Sequence, residues 1–330
     1  MSEKRELVFA AFDNKKTERV PVGFWFHFAP DSLFVDKPET IQRNIEGHKS
    51  FYESFHPDFV KLMSDGYFVY PNESAQAVKS VKDLAQVKAS GTKEWIDAQV
   101  KLVKTLTGQF GQEVATFYNI FAPATYFKFL LEASGSGLTL GQLLKEDPES
   151  VAHALGEIGK DVSELARRVI QEGGADGIYL SVQNIQDAGL TKEEYLKYVA
   201  PGELAVLKAA NAVSEYNILH ICGYEGAKND LSVYVDYPAK VINWAVVVEG
   251  VPLEEGKKLF ANRAVIGGFD NTEKGILYKG SKEQIEAETE RLIKGAGTQG
   301  IILGADCTIP SDTPLEHLEW VRNKAKEITL

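Results

Sequence analysis

Eight short apolar runs, separated by helix-like stretches, constrain the fold of this chain more than any other feature. Several runs are apolar on both faces, as the buried strands of parallel sheets are. The runs are Pro21–Phe28, Phe59–Ser64, Val114–Phe121, Gly177–Ser181, Asn217–Cys222, Val241–Val248, Ala264–Phe269 and Gly300–Gly304. Strands and helices in alternation predict an α/β protein with a parallel sheet.

The stretches between the runs have helical periodicity. From Asp147 to Glu172, apolar residues recur at spacings of three or four, and a further helix is predicted over residues 3–14. No Pro-, Gly- and Ser-rich linker divides the chain, so we predict one domain over residues 1–330: a single (β/α)8 TIM barrel with an N-terminal helical extension. An open doubly wound sheet is the alternative, although no G-x-G-x-x-G follows the first run.

Charge and hydropathy indicate which kinds of binding partner this protein is unsuited to. Thirty-six Lys and Arg against 47 Asp and Glu give a formal net charge of -11, without a dense basic cluster, so we expect no nucleic-acid partner. The apolar runs are far shorter than the ~20 residues that cross a bilayer, and the charged N-terminus does not resemble a secretory signal. We therefore expect a cytoplasmic protein that has no membrane partner.

The fifth run ends in a histidine and a cysteine with strand spacing. His220 and Cys222 are two residues apart, so both side chains point to the same side of a strand. The only other cysteine, Cys307, follows the eighth run. In a barrel both positions lie at the C-terminal ends of strands, where TIM-barrel enzymes hold their active sites.

One His and two Cys ligands suit Zn²⁺ and leave a fourth position open, which is typical of a catalytic zinc. Glu249, after the sixth run, is a candidate fourth ligand. The alternative interpretation is two buried thiols and a core histidine without metal, since free cysteine is often buried.

Five segments spread over nearly the whole chain carry a family resemblance. They are Arg19–Val22, Leu62–Asp65, Asn119–Gly135, Ile301–Gly304 and Ile309–Pro314. These segments resemble the uroporphyrinogen decarboxylase superfamily, which implies a (β/α)8 barrel. The resemblance also matches Asp65 to the catalytic aspartate of the family. Decarboxylases proper carry arginines just after the first strand, whereas residues 24–30 of this chain contain none.

The run His220–Gly223 with the distant Cys307 is similar to the zinc-dependent methylcobalamin:thiol methyltransferases of the coenzyme M type. This resemblance implies that zinc activates a small thiol as a thiolate, which exchanges a methyl group with a methylcorrinoid. None of the six histidines lies in a cobalamin-binding D-x-H-x-x-G motif. We therefore expect the corrinoid to be supplied by a corrinoid-binding partner protein.

Further candidates lie near the predicted strand ends. We expect His27 to act in catalysis, in contact with the corrin or a substrate carboxylate. The candidate substrate-binding residues are Trp25, Phe26, Tyr126, Asp187 and Asp270. For the aromatic residues, packing in the core is the alternative role.

Two other functions are compatible with the sequence. A cofactor-free decarboxylase would need cationic side chains at the barrel mouth and no metal. A zinc-bearing binding protein would sequester a thiol or a corrinoid without turnover. Metal analysis distinguishes the decarboxylase from the methyltransferase. Turnover with methylcobalamin distinguishes the binding protein from the methyltransferase.

Overall fold

A computed structural model of the protein describes residues 1–29, 37–64, 68–183 and 189–328. Within these residues seven parallel strands form one sheet, in the order in which they occur along the chain. The strands are β1 Phe59–Leu62, β2 Ala115–Phe121, β3 Gly177–Val182, β4 Ile218–Ile221, β5 Val241–Trp244, β6 Ala264–Phe269 and β7 Ile301–Ala305. The predicted alternation of strands and helices is confirmed.

One face of all seven strands contributes to a single interior cluster, which shows that the sheet is curled. That cluster contains the following strand residues: Phe59, Ala115, Phe117, Tyr179, Ile218, Val241, Ala264, Ile266 and Ile302. A larger apolar layer lies between the outer face of the sheet and the helices. The fold is therefore TIM-barrel-like.

The first predicted strand, Pro21–Phe28, is not a regular strand. It makes only isolated parallel bridges, from Val22 to Leu303 and from Phe26 to Ile309. On its other side, the N–H of Asp58 donates to the carbonyl of Val22 at 3.0 Å. The segment thus lies between β7 and β1, but part of its hydrogen bonding goes to a side chain: the Val22 N–H donates to Asp58 Oδ2 at 2.8 Å.

The predicted strand over Val241–Val248 is also too long. β5 ends at Trp244, and the chain continues as a short helix, Val246–Glu249. The turn forms because the N–H of Val247 donates to the buried carboxylate of Asp306 at 2.8 Å. A side chain distant in sequence therefore ends this strand.

The helices lie between the strands and at the N-terminal end of the chain. They are α1 Glu3–Phe12, α2 Pro38–Phe55, α3 Glu73–Gln76, α4 Lys93–Phe110, α5 Pro123–Ala133, α6 Leu140–Glu146, α7 Pro148–Gln171, α8 Lys192–Tyr198, α9 Ala200–Asn211, α10 Val246–Glu249, α11 Leu253–Leu259, α12 Ile276–Lys279, α13 Lys282–Ala296 and α14 Leu315–Glu327. α7 begins at the N-cap Asp147, which accepts the N–H of Ser150. In the part of the chain described here, no helix is long and apolar enough to cross a membrane.

α1 packs against the interior of the curled sheet. Its Phe12 ring stacks on Phe117 of β2 with ring centroids 5.2 Å apart, and both rings belong to the interior cluster. Arg5 anchors the helix: its guanidinium pairs with Asp176, next to the start of β3, and donates to the carbonyl of Val114 at 3.1 Å. The helix therefore closes the end of the barrel at which the strands begin.

A buried ion pair attaches the irregular segment to β1. The guanidinium of Arg19 donates to both carboxylate oxygens of Asp58 at 2.7 Å, and the Asp58 side chain has no exposed surface. Asp58 also accepts the N–H of Val22. It therefore joins the segment Pro21–Phe28 to the start of β1, which are not joined by regular strand pairing.

We expect the substitution Asp58→Ala to lower the free energy of unfolding by about 3 to 5 kcal/mol, because it leaves a largely buried guanidinium and a backbone N–H without an acceptor. Urea unfolding measures the loss. Glu164→Ala is the matched control: its partner Arg167 is also held by two bonds, but that pair is exposed and is worth about 0 to 1 kcal/mol. Equal losses in the two variants would contradict this assignment.

Candidate metal centre

The structure brings His220, Cys222 and Cys307 together. One donor atom of each residue lies within 4.8 Å of the others, the only such group of potential metal ligands found among the described residues. The Sγ of Cys307 is 3.6 Å from Nε2 of His220. The predicted convergence of the two strand ends is therefore confirmed.

Strand geometry determines the direction of the His220 and Cys222 side chains. His220 lies in β4 and is 2% exposed, and the N–H of Cys222 continues the ladder by donating to the carbonyl of Val182 at 2.8 Å. Because the extended backbone persists to Cys222, the imidazole and the thiol project to the same side. Cys307 reaches the same point from the end of β7, across the barrel.

A hydrogen-bond network fixes the tautomer of His220. Asn243 of β5 donates from Nδ2 to the carbonyl of Ile266 at 2.8 Å, so its Oδ1 is the atom that faces inward. That oxygen lies 2.5 Å from Nδ1 of His220 and accepts the hydroxyl of Tyr179 at 2.9 Å. Since an amide oxygen only accepts, Nδ1 carries the proton and Nε2 offers its lone pair toward the cysteines.

The two thiols do not have equal pKa values. The hydrogen bond that they share raises the pKa of Cys222 well above 9.0, and burial raises it further. The same bond lowers the pKa of Cys307 well below 9.0, and His220 lowers it further against the opposing effect of burial. The shared hydrogen bond and the neighbouring imidazole therefore make Cys307 the more acidic of the two thiols.

Two charged residues near the centre are missing from the sequence prediction. Asp306, beside Cys307, is 1% exposed, and burial raises its pKa to about 7. Lys61 is also buried, and its ammonium lies 4.2 Å from the ring centroid of Tyr179 and 4.9 Å from that of Trp25. A signal was available for Lys61, because a lysine within the apolar strand Phe59–Leu62 shares the alternation phase of Phe59.

Glu249 does not join the ligand group. Its carboxylate accepts the N–H of Asn229 at 3.0 and 3.1 Å and the side-chain Nδ2 of Asn229 at 2.9 Å. Asn229 also donates to the carbonyl of Cys222 at 2.9 Å. Glu249 therefore supports the loop after Cys222 instead of supplying a donor atom to the group, and the prediction of a fourth ligand there is not supported.

Several candidate substrate-binding residues are core residues. Phe26 packs on Phe51 with ring centroids 5.1 Å apart, and Tyr126 lies in a cluster with Trp95 and Tyr70. Both belong to the apolar layer outside the sheet. These contacts are those of core residues, and contact of the two rings with a substrate stays a prediction.

The other candidates lie nearer the barrel interior. Trp25 belongs to the interior cluster and is 1% exposed, and its buried Nε1 has no acceptor among the residues described. His27, two residues on, is half-buried. Asp270 accepts the N–H of Thr272 at 2.8 Å, and its charge contributes to the raised pKa of Asp306.

Two predicted site residues, Asp65 and Asp187, lie outside the described residues. Their roles, together with those of His27, Trp25 and Asp270, stay predictions.

The donor set fits zinc. Two sulfurs and one imidazole nitrogen are the ligand types that Zn²⁺ prefers, and three protein ligands leave one position for a substrate or water. The hydrogen bond from Nδ1 of His220 to Asn243 is the outer-shell contact expected of a metal-binding histidine. The site lies where the strands end, which is the functional face of TIM-barrel enzymes.

Comparisons with known proteins agree on the family and the fold. The family profile described as Uroporphyrinogen decarboxylase (URO-D) matches residues 66–328. A uroporphyrinogen decarboxylase of Trichodesmium erythraeum (strain IMS101) is 23% identical over 233 residues, which cover 69% of this chain. The match spans 62% of that relative, which is less than two thirds of its length.

Two solved structures have a similar fold. A methyltransferase from Methanosarcina mazei is similar over 99% of both chains, with a TM-score of 0.73 and 17% identity. A B12-independent methionine synthase from Shewanella sp. W3-18-1, in complex with selenomethionine, is similar over 94% of both chains, with a TM-score of 0.55 and 12% identity. At these identities the likeness establishes the fold alone.

We expect Asn243→Ala to weaken metal binding by about 10- to 100-fold, because it frees Nδ1 of His220 to change tautomer. Competition with a chromophoric zinc chelator measures the affinity. Asn119→Ala is the control, since Asn119 is a buried strand asparagine whose Nδ2 donates to Ser64 at 3.4 Å. If both variants bound zinc like the unchanged protein, Asn243 would have no part in orienting the ligand.

Proposed function

The chain belongs to the uroporphyrinogen decarboxylase family, and from this premise we propose that it is a zinc-dependent methyltransferase. Its substrates would be a small thiol and a methylcorrinoid carried by a corrinoid-binding partner protein. The observation that carries the proposal is the meeting of His220, Cys222 and Cys307, whose donor atoms lie within 4.8 Å of one another.

The residues of the centre suit this chemistry. His220 and the two cysteines would hold zinc, and Asn243 keeps Nε2 of His220 unprotonated and aimed at it. Bound zinc would supply a Lewis acid that lowers the pKa of a coordinated thiol, which has a free pKa of about 8.5, so that its sulfur is nucleophilic at neutral pH. The thiol proton leaves to solvent, a carbon–sulfur bond forms, and the methyl group leaves its donor without that bonding electron pair.

The surroundings of the centre favour approach of the methyl donor from one side. On the strand-start side, the interior is filled by Trp25, Tyr179 and the buried side chain of Lys61. The loops that follow the strands lie on the opposite side, where Tyr224 and Val247 are more than half exposed. A large methyl donor would therefore approach over these loops, and the thiol would bind between it and the cysteines.

Porphyrinogen decarboxylation is less compatible with the sequence. Its substrate carries many carboxylates, whereas residues 24–30 contain no arginine and the net charge of the chain is -11. Turnover of uroporphyrinogen is therefore the result that would contradict the proposal.

We expect the purified protein to contain about one zinc per chain, bound by three protein ligands. It should also transfer a methyl group from methylcobalamin to a thiol. Cys307→Ala should lose the metal and the activity together while its thermal unfolding is preserved, because the cysteine follows β7 and lies outside both apolar clusters. Elemental analysis and a screen of thiols measure this. Full activity of that variant, or turnover of uroporphyrinogen without metal, would refute the proposal.

Binding of the thiol should release about one proton at neutral pH, because the free thiol is mostly protonated and binds as the thiolate. Calorimetry in buffers of different ionisation enthalpy counts this proton. X-ray absorption of the zinc-loaded protein should change from two sulfur ligands to three. An alcohol of the same carbon skeleton is the control and should bind far more weakly. A thiol that is turned over without proton release and without a third sulfur would contradict the proposed role of the metal.

A further inference from the structure

Lys61 is a buried cation inside the barrel, close to the proposed metal centre. It lies in β1 and is 4% exposed, and its Nζ lies 4.2 Å from the ring centroid of Tyr179. The hydroxyl of Tyr179 donates to Asn243, which in turn holds His220, and the rings of Tyr179 and His220 are 5.9 Å apart. A single aromatic side chain therefore separates the ammonium from the ligand network.

Burial of a lysine is costly, and aromatic rings offset part of that cost at Lys61. Two aromatic faces attract the ammonium, since the ring centroid of Trp25 is 4.9 Å from Nζ. The positive charge of Lys61 also acts on both cysteines of the ligand group. β1 thus places a charged side chain at an interior position, although an apolar side chain there would be less costly to bury.

Charge balance at the centre suggests what this cation does. A zinc ion bound by one neutral imidazole and two thiolates is neutral. A substrate that binds as a third thiolate leaves one net negative charge in a largely buried site, where an unbalanced charge is strongly disfavoured.

We propose that Lys61 is a positioning residue that selects anionic sulfur ligands, by balancing the negative charge that the centre gains when a thiol substrate binds. This inference rests on the proposed function. Lys61 lies on the strand-start side of the centre and acts on the bound thiolate by electrostatic attraction at a distance. It therefore contributes to thiolate binding without contacting the substrate. Because a cation repels a metal ion, it does not favour binding of the metal itself.

The test compares an anionic and a neutral ligand on the same metal. The protein is loaded with cobalt(II), whose absorption reports its ligands, and is titrated with 2-mercaptoethanol, which binds as the thiolate, and with imidazole, which binds neutral. We expect Lys61→Met to weaken binding of 2-mercaptoethanol by about 10- to 100-fold, the effect of one nearby unit charge at an effective dielectric constant of about 20. Imidazole affinity should change by less than about threefold, because imidazole is neutral, and cobalt affinity should not fall, because the removed cation repels the metal.

Two further variants separate charge from packing. Lys61→Arg keeps the charge and should restore most of the affinity for 2-mercaptoethanol. Lys240→Met removes a part-buried lysine next to the start of β5, at the opposite end of the barrel, where it pairs with Asp13 at 2.7 Å. This control should bind both ligands like the unchanged protein.

The outcomes distinguish the inference from the proposed function. Equal affinity of Lys61→Met and the unchanged protein for 2-mercaptoethanol would overturn the inference and leave the methyltransferase proposal intact. Loss of cobalt, imidazole and thiol binding together, with a lowered melting temperature, would show a structural role instead and would also overturn it. If the unchanged protein bound neither zinc nor cobalt, the proposed function would fail and the inference with it.

Discussion

Curling of one parallel sheet around a shared interior is the constraint on which the rest of this structure depends. Parallel strands all end at the same edge, so closing the sheet brings β4 and β7, three positions apart in the sheet, to opposite sides of one mouth. The interior cluster, to which every strand contributes, holds this closure in place. Only for this reason can a cysteine after β7 approach a histidine in β4.

The interior has an apolar part and a polar part, and the boundary between them has chemical consequences. Near the strand starts, α1 and the interior side chains form an apolar core. Toward the strand ends the same inward alternation presents Lys61, His220 and Asn243. Because these groups have little access to water, their hydrogen bonds and charges act at a low dielectric constant, which strengthens each interaction. A site of this kind favours ligands by charge as well as by shape.

The amide of Asn243 links the fold to the reactivity of the site. Its nitrogen is engaged by a backbone carbonyl of β6, so its oxygen is left to accept from His220 and Tyr179. Backbone pairing between β5 and β6 thereby determines which nitrogen of the imidazole is basic. Two acidic residues nearby stabilise backbone and do not contact His220. Asp306 accepts a backbone N–H in the turn after β5, and Glu249 supports the loop after Cys222.

The sequence by itself determined seven of the eight predicted strands and placed His220, Cys222 and Cys307 at the ends of two of them, because alternation and apolar runs are local properties of a chain. It did not determine how the segment Pro21–Phe28 pairs or where β5 ends, because Asp58 and Asp306, distant in sequence, supply the hydrogen bonds there. Local pattern also could not separate Phe26 and Tyr126, which are core, from residues at the mouth. The alternation of β1 indicates that Lys61 faces the interior, but its place beside the centre was decided by tertiary structure, since only closure of the sheet brings β1 and β3 side chains to the same interior point.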